Sequence, residues 1–156
     1  MLESDADIRR LPPGAGRARL VVCESSGRWA VALRRELAAA VRIHETRSID
    51  HCWQALADAP ASFAIVELTG GNADSLLERM LRLGRDLPLC RVAVVTGRKL
   101  VGYQSLMREA GAVHFICSPR RLGPLADLAR RHLDGAPEHQ QGLIRQIWSN
   151  LPWSAD

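Results

Sequence analysis

Between residues 20 and 133 a short apolar run gives way five times to a stretch whose apolar residues recur every three or four positions. Leu20-Val21-Val22-Cys23 leads to Trp29, Ala30, Leu33, Leu37 and Ala40. Residues 41–46 lead to Cys52, Trp53, Leu56 and Ala57, and residues 62–66 to Leu76, Leu77, Met80, Leu81 and Leu83. Residues 91–95 precede a short helical stretch at 103–110, and residues 113–117 precede Leu122, Leu125, Leu128, Ala129 and Leu133. Short apolar runs of this length read as strands, and the three-to-four spacing reads as a helix with one buried face. The junctions carry the expected chemistry. Ser25, Ser26, Ser48 and Asp50 can cap helices, Gly111 can stop one, and residues 69–72 form a polar loop.

Strict strand–helix alternation implies a parallel sheet covered on both faces. The unbroken apolar run at 92–95 agrees, since a doubly covered strand has no polar face. Right-handed crossovers leave few topologies. The expected fold is α/β: a flavodoxin-like, doubly wound, five-stranded parallel sheet in the order 2-1-3-4-5, with an extra C-terminal helix. Residues 1–17, broken by Pro12-Pro13-Gly14, read as a flexible leader, and 18–134 as the domain. Residues 135–156 read as a helical extension: Pro137 can open it, and Leu143, Ile144, Ile147, Trp148 and Leu151 make one apolar stripe before Pro152 and Trp153.

Composition narrows the function classes. The formal net charge is +4, and Lys99 is the sole lysine. The arginines are scattered among acids, without a basic stripe interleaved with aromatics, so a nucleic-acid partner is not expected. Residues 1–19 lack a signal-like apolar centre, and no run approaches the roughly 20 apolar residues of a membrane span. The four cysteines form no CxxC pair, so reduced, mostly buried thiols in a soluble cytoplasmic protein are expected. His51 and Cys52 diverge on a helix, and His114 and Cys117 face opposite sides of a strand, so no metal site is expected. GxSxG, Walker and GxGxxG motifs are all lacking, and no cofactor is expected.

Ligands of such a sheet meet the carboxyl ends of its strands, here Cys23-Glu24, Glu67, Thr96 and Ser118. At these ends the chain resembles the receiver domain of bacterial response regulators. Thr96-Gly97 is similar to that family's Thr followed by a small residue. Glu109-Ala110-Gly111-Ala112, then residues 113–117 and Ser118-Pro119, resembles its segment leading to Lys-Pro. Residues 20–24 resemble the strand that opens on two Asp, and residues 63–67 the strand that ends in the phosphoacceptor Asp. The resemblance covers roughly residues 19–133.

The departures from the pattern decide what it implies. Where the family's two acids hold a divalent cation, this chain has Cys23 and Glu24. The acceptor position reads Glu67, a methylene longer, and phosphoryl transfer is sensitive to displacements of about 1 Å. The Lys position reads Ser118, and Thr96 alone is intact. The resemblance therefore implies a degenerate receiver: not an enzyme, without obligatory Mg²⁺, binding a protein partner or forming a homodimer. Glu67 can be a permanent mimic of a phosphorylated acceptor or a solvated carboxylate without a signalling role; the second is favoured, because Ser118 cannot pair with its charge as Lys would. For Thr96 the favoured reading is likewise the simpler one, the cap of a turn or helix. Phe115 resembles the aromatic of the family's output face, but as a strand residue it is expected in the core.

Two further readings remain. Cys23 followed by Ser25, Ser26, Gly27 and Arg28 is similar to the phosphate-cradling loops of low-molecular-weight tyrosine phosphatases and phosphocysteine carriers. This alternative makes the chain a phosphate-handling enzyme or a phosphocysteine carrier. Four residues separate Cys23 from Arg28 where the phosphatase loop has five, and Glu24 would repel phosphate. With a negative neighbour, the Cys23 thiol is expected to have an ordinary or raised pKa. The C-terminal stripe, with Arg145, Trp148 and Trp153, either docks on its own domain or supplies a partner or dimer contact, since Trp and Arg are common interface anchors.

Overall fold

The computed structural model describes residues 15–39 and 41–137. Five parallel strands form one sheet: β1 (Leu20–Cys23), β2 (Ile43–Thr46), β3 (Phe63–Leu68), β4 (Arg91–Thr96) and β5 (Phe115–Ile116). Their order is β2-β1-β3-β4-β5, the flavodoxin-like arrangement expected from the alternation. The helices are α1 (Arg28–Glu36), α2 (Ile49–Asp58), α3 (Ala73–Asp86), α4 (Gln104–Glu109) and α5 (Gly123–Asp134). Short 3-10 turns at Arg98–Tyr103 and Pro119–Arg121 precede the last two.

The core explains the apolar runs. Successive strand side chains point to opposite faces of the sheet. Leu20, Val22, Phe63, Ile65, Val95 and Ile116 pack with Trp29 and Leu33 of α1 and Leu125 and Ala129 of α5. Val21, Cys23, Ala64, Val66, Val92, Val94 and Phe115 pack with Cys52 and Leu56 of α2, Leu76 and Met80 of α3 and Met107 of α4. Both faces of β1, β3 and β4 are covered, so these strands carry no polar alternation, whereas the edge strand β2 exposes His44.

Several boundaries differ from those read in the sequence. Helix α1 does not run on to Ala40: Leu37 turns to extended backbone (φ −93°, ψ 138°) while its N–H still reaches the Leu33 carbonyl. Strand β3 continues to Leu68, so Glu67 pairs within the ladder opposite Val95. Strand β5 has only two residues, although Val113 N–H to the Val92 carbonyl keeps the edge attached beyond them. The leader boundary also moves. Ala15 is buried against Ala61, and Gly16 N–H donates to the Asp58 carbonyl at 2.7 Å. A Cβ on Gly16 would lie 2.9 Å from that oxygen, so the close approach needs glycine. The stripe Leu143, Ile144, Arg145, Ile147, Trp148, Leu151 and Trp153 lies outside the described residues. Among the described residues no helix is long and apolar enough to cross a membrane.

Candidate functional site

The carboxyl ends of β1, β3, β4 and β5 carry the residues singled out in the sequence, but each is held by a different partner. Glu24 directly follows β1 and is buried, at 3% exposure. Its carboxylate accepts from the backbone N–H groups of Trp29 (2.9 Å) and Ala30 (2.7 Å), the open amides of α1's first turn. Gly27 makes the return possible: it sits at φ 84°, where a side chain would be strained. Glu24 is therefore the anionic cap of α1, the role that Ser25 and Ser26 were expected to fill. Ser26 makes only a local bond from Arg28 N–H, at 3.4 Å. The Glu24 main chain is pinned as well, its N–H to the Thr46 carbonyl and its carbonyl to an Arg47 Nη1 at 3.0 Å.

Glu67 points from β3 toward the β1–α1 loop. Its side chain is only 11% exposed, which corrects the expectation of a solvated carboxylate. It accepts from Ser25 N–H at 3.4 Å and from an Arg28 Nη2 at 3.5 Å. Arg28 also lies over the Trp29 ring, 5.3 Å from its centre. The positive partner that Ser118 cannot supply thus comes from the opposite side of the strand ends. The turn behind Glu67 is fixed by Asn72, whose side chain donates to the Glu67 carbonyl (2.7 Å) and accepts from Thr69 N–H (2.8 Å).

Thr96 is fully buried, and its hydroxyl donates to the Leu68 carbonyl at 2.8 Å. It ties β4 to the end of β3 and does not cap a helix. Ser118 accepts from Arg120 N–H at 3.4 Å, opening the turn that leads into α5. It also lines an open groove of about 500 Å³ with Phe115, Gln104, Arg98, Arg120 and Arg121. Phe115, 6% exposed, belongs to the core as expected and at the same time floors this groove. Cys23, Glu24, Glu67 and Thr96 do not line it. Among the described residues, Arg98, Arg120 and Arg121 make no ion pair, which leaves the groove positive.

Cys23 ends β1 and is 4% exposed. Its pKa is lowered to about 7, against the expectation from its negative neighbour. The main cause is the Cys52 thiol; burial opposes the shift, the Thr46 hydroxyl assists it, and Glu67 and Glu24 oppose it more weakly. The Cys52 pKa is raised, first by Cys23 and then by burial. Burial alone pushes Cys90 up to about 12. All four cysteines are free. Among the described residues no cluster of three or more His, Cys, Asp or Glu could hold a metal ion.

The sequence reading placed Arg28 only in a phosphate-cradling loop and did not single out Thr46; strand register sets Thr46 level with Cys23, and sequence spacing does not reveal register.

Neither a protein-family model nor a curated protein matches this chain. Among solved structures, a response regulator from Thermotoga maritima superposes with a TM-score of 0.60 at 18% identity, over 76% of this chain and 99% of that one. A proposed pilus assembly-related protein from Burkholderia pseudomallei superposes with a TM-score of 0.54, also at 18% identity, over 83% of this chain and 98% of that one. Identity at this level carries the fold alone: this chain has a receiver-like fold.

Proposed function

We propose that this chain is a receiver-like signalling module that binds a protein partner, or a second copy of itself, without accepting a phosphoryl group. One observation carries the reading: both acids left at the strand ends are already engaged within the fold. Glu24 spends its two oxygens on the amides of α1, and Glu67 faces Ser25 and Arg28. Mg²⁺ requires near-octahedral oxygen coordination, and a carboxylate buried against the amides of a helix is poorly placed to contribute to it. A receiver-like fold among the structural neighbours supports the signalling role in general terms.

The same contacts weigh against the phosphate-handling alternative at Cys23. A phosphate cradle needs free backbone N–H groups aimed at the anion. Here Ser25, Trp29 and Ala30 N–H donate to protein carboxylates, and Cys23 is buried in the core on the α2 face of the sheet. The docking surface of this reading is the positive groove over Phe115, with the tail from Leu143 to Trp153 as a second contact. The deciding experiment is incubation with acetyl phosphate and Mg²⁺ followed by intact mass. An unchanged mass is expected; a phosphoryl gain that disappears in Glu67→Gln overturns the reading.

A further inference from the structure

The groove over Phe115 is built by the two segments that leave the sheet after its last two strands. Strands β4 and β5 are parallel, so both segments emerge at the carboxyl end of the sheet. After β4 comes the 3-10 turn Arg98–Tyr103, and after β5 the turn Pro119–Arg121. Arg98 and Gln104 line the groove from the first side, and Arg120 and Arg121 from the second. Phe115 and Val101 supply much of its apolar surface. Among the described residues no acid lines it.

Two properties of this surface decide what it can hold. The first is unpaired charge. Arg98, Arg120 and Arg121 are exposed, and among the described residues their guanidinium groups make neither an ion pair nor a hydrogen bond. By contrast, Arg34 and Arg47 share Glu45, and Arg79 holds Asp50. A free guanidinium presents a planar fork of N–H donors that matches a carboxylate. The second property is apolar exposure. Among the described residues five large hydrophobic side chains are exposed, and three of them, Val101, Leu106 and Val113, lie on the stretch that forms one wall of the groove and runs on to its floor.

We propose that this groove binds an acidic, partly apolar peptide segment of the partner, its carboxylates pairing with Arg98, Arg120 and Arg121 while an apolar side chain between them rests on Val101 and Phe115. The proposal rests on the docking reading above and names the chemistry of the partner. Charge complementarity selects the acids, and a groove of about 500 Å³ has room for a few side chains, a segment and not a folded face. Other anions fit the groove less well. A phosphate site uses free backbone N–H groups. Here Arg120 N–H donates to Ser118 Oγ and Arg121 N–H to the Ser118 carbonyl. Single-stranded nucleic acid stacks its bases on open aromatic faces, and Phe115 is almost fully buried.

The test uses the full chain and fluorescence anisotropy. The probes are a labelled peptide of alternating Glu and Leu, its counterpart with Gln for every Glu, and a labelled single-stranded oligonucleotide. The acidic peptide should bind saturably, at least about tenfold more tightly than the Gln peptide, and more weakly as salt is added. Arg98→Ala and Arg120→Ala should each weaken it by about three- to tenfold, the loss of one charge-assisted contact. Both side chains are exposed, so the fold should survive the changes. Arg82→Ala on α3 removes the same charge far from the groove and should leave binding unchanged. The proposal is overturned if the acidic peptide does not bind, if the Gln peptide binds as well, if Arg82→Ala weakens binding as much as the groove variants, or if the oligonucleotide binds more tightly. Phosphorylation is read separately by intact mass. A chain that gains no phosphoryl group and ignores the acidic peptide overturns this proposal alone, whereas a phosphoryl gain at Glu67 with the peptide still bound overturns only the phosphorylation-independent reading.

Discussion

Replacing Glu24 with Ala tests the central structural reading, that this acid belongs to helix α1 and not to a metal. The substitution removes both acceptors from Trp29 N–H and Ala30 N–H, at a residue only 3% exposed. A hydrogen bond to a charged group contributes about 1.5–3 kcal/mol, and removing a helix cap costs about 0.5–2 kcal/mol. Water entering the vacated space recovers part of the loss, so about 2–4 kcal/mol is expected. For a domain of this size, about 4 °C of melting temperature accompanies each kcal/mol, giving a drop of roughly 8–16 °C. Glu24→Gln keeps one oxygen for one of the two amides and should lose about half as much. Melting is followed by circular dichroism in EDTA and again in millimolar Mg²⁺. The cap predicts the same loss in both, and no effect of Mg²⁺ on the unmodified chain. A melting temperature that rises with Mg²⁺ in the unmodified chain, and fails to rise in Glu24→Ala, would refute the argument.

Four other outcomes follow from the contacts. Thr96→Val removes the hydroxyl that donates to the Leu68 carbonyl and should cost about 1–2 kcal/mol in urea unfolding, with the denaturant slope unchanged. Gly27→Ala places a side chain at φ 84° in the turn beneath Glu24 and should cost about 1–2 kcal/mol in the same assay. The His132 pKa lies below its ordinary 6.5, chiefly through burial, so the folded state binds a proton less readily than the unfolded chain. Stability should then fall as pH drops below about 6.5, and His132→Gln, which keeps a polar group near the Ala61 carbonyl, should flatten that slope. A chain ending at Gly135 should keep its α/β circular dichroism and lose self-association or partner capture; unfolding of the shortened chain would show that the tail belongs to the core.

The fold class was legible in the sequence because two periodicities are local properties of the chain. The run at Leu20–Cys23 and the spacing Trp29, Ala30, Leu33 need no knowledge of distant partners to read as strand and helix, and five repeats of that pair admit few sheets. Strand order and the position of Phe115 in the core could both be read in that way. What holds each acid could not. Glu24 faces amides five and six residues later because Gly27 reverses the chain, and no helical or strand period encodes that turn. Glu67 meets Arg28 across 39 positions, and Cys23 stands level with Thr46 through strand register. A sequence lists its charges and thiols, whereas pKa, pairing and burial depend on which of them the tertiary fold brings within a few ångströms. That is why the residue types at the strand ends were visible in the sequence itself, while the partner of each was decided only by the folded chain.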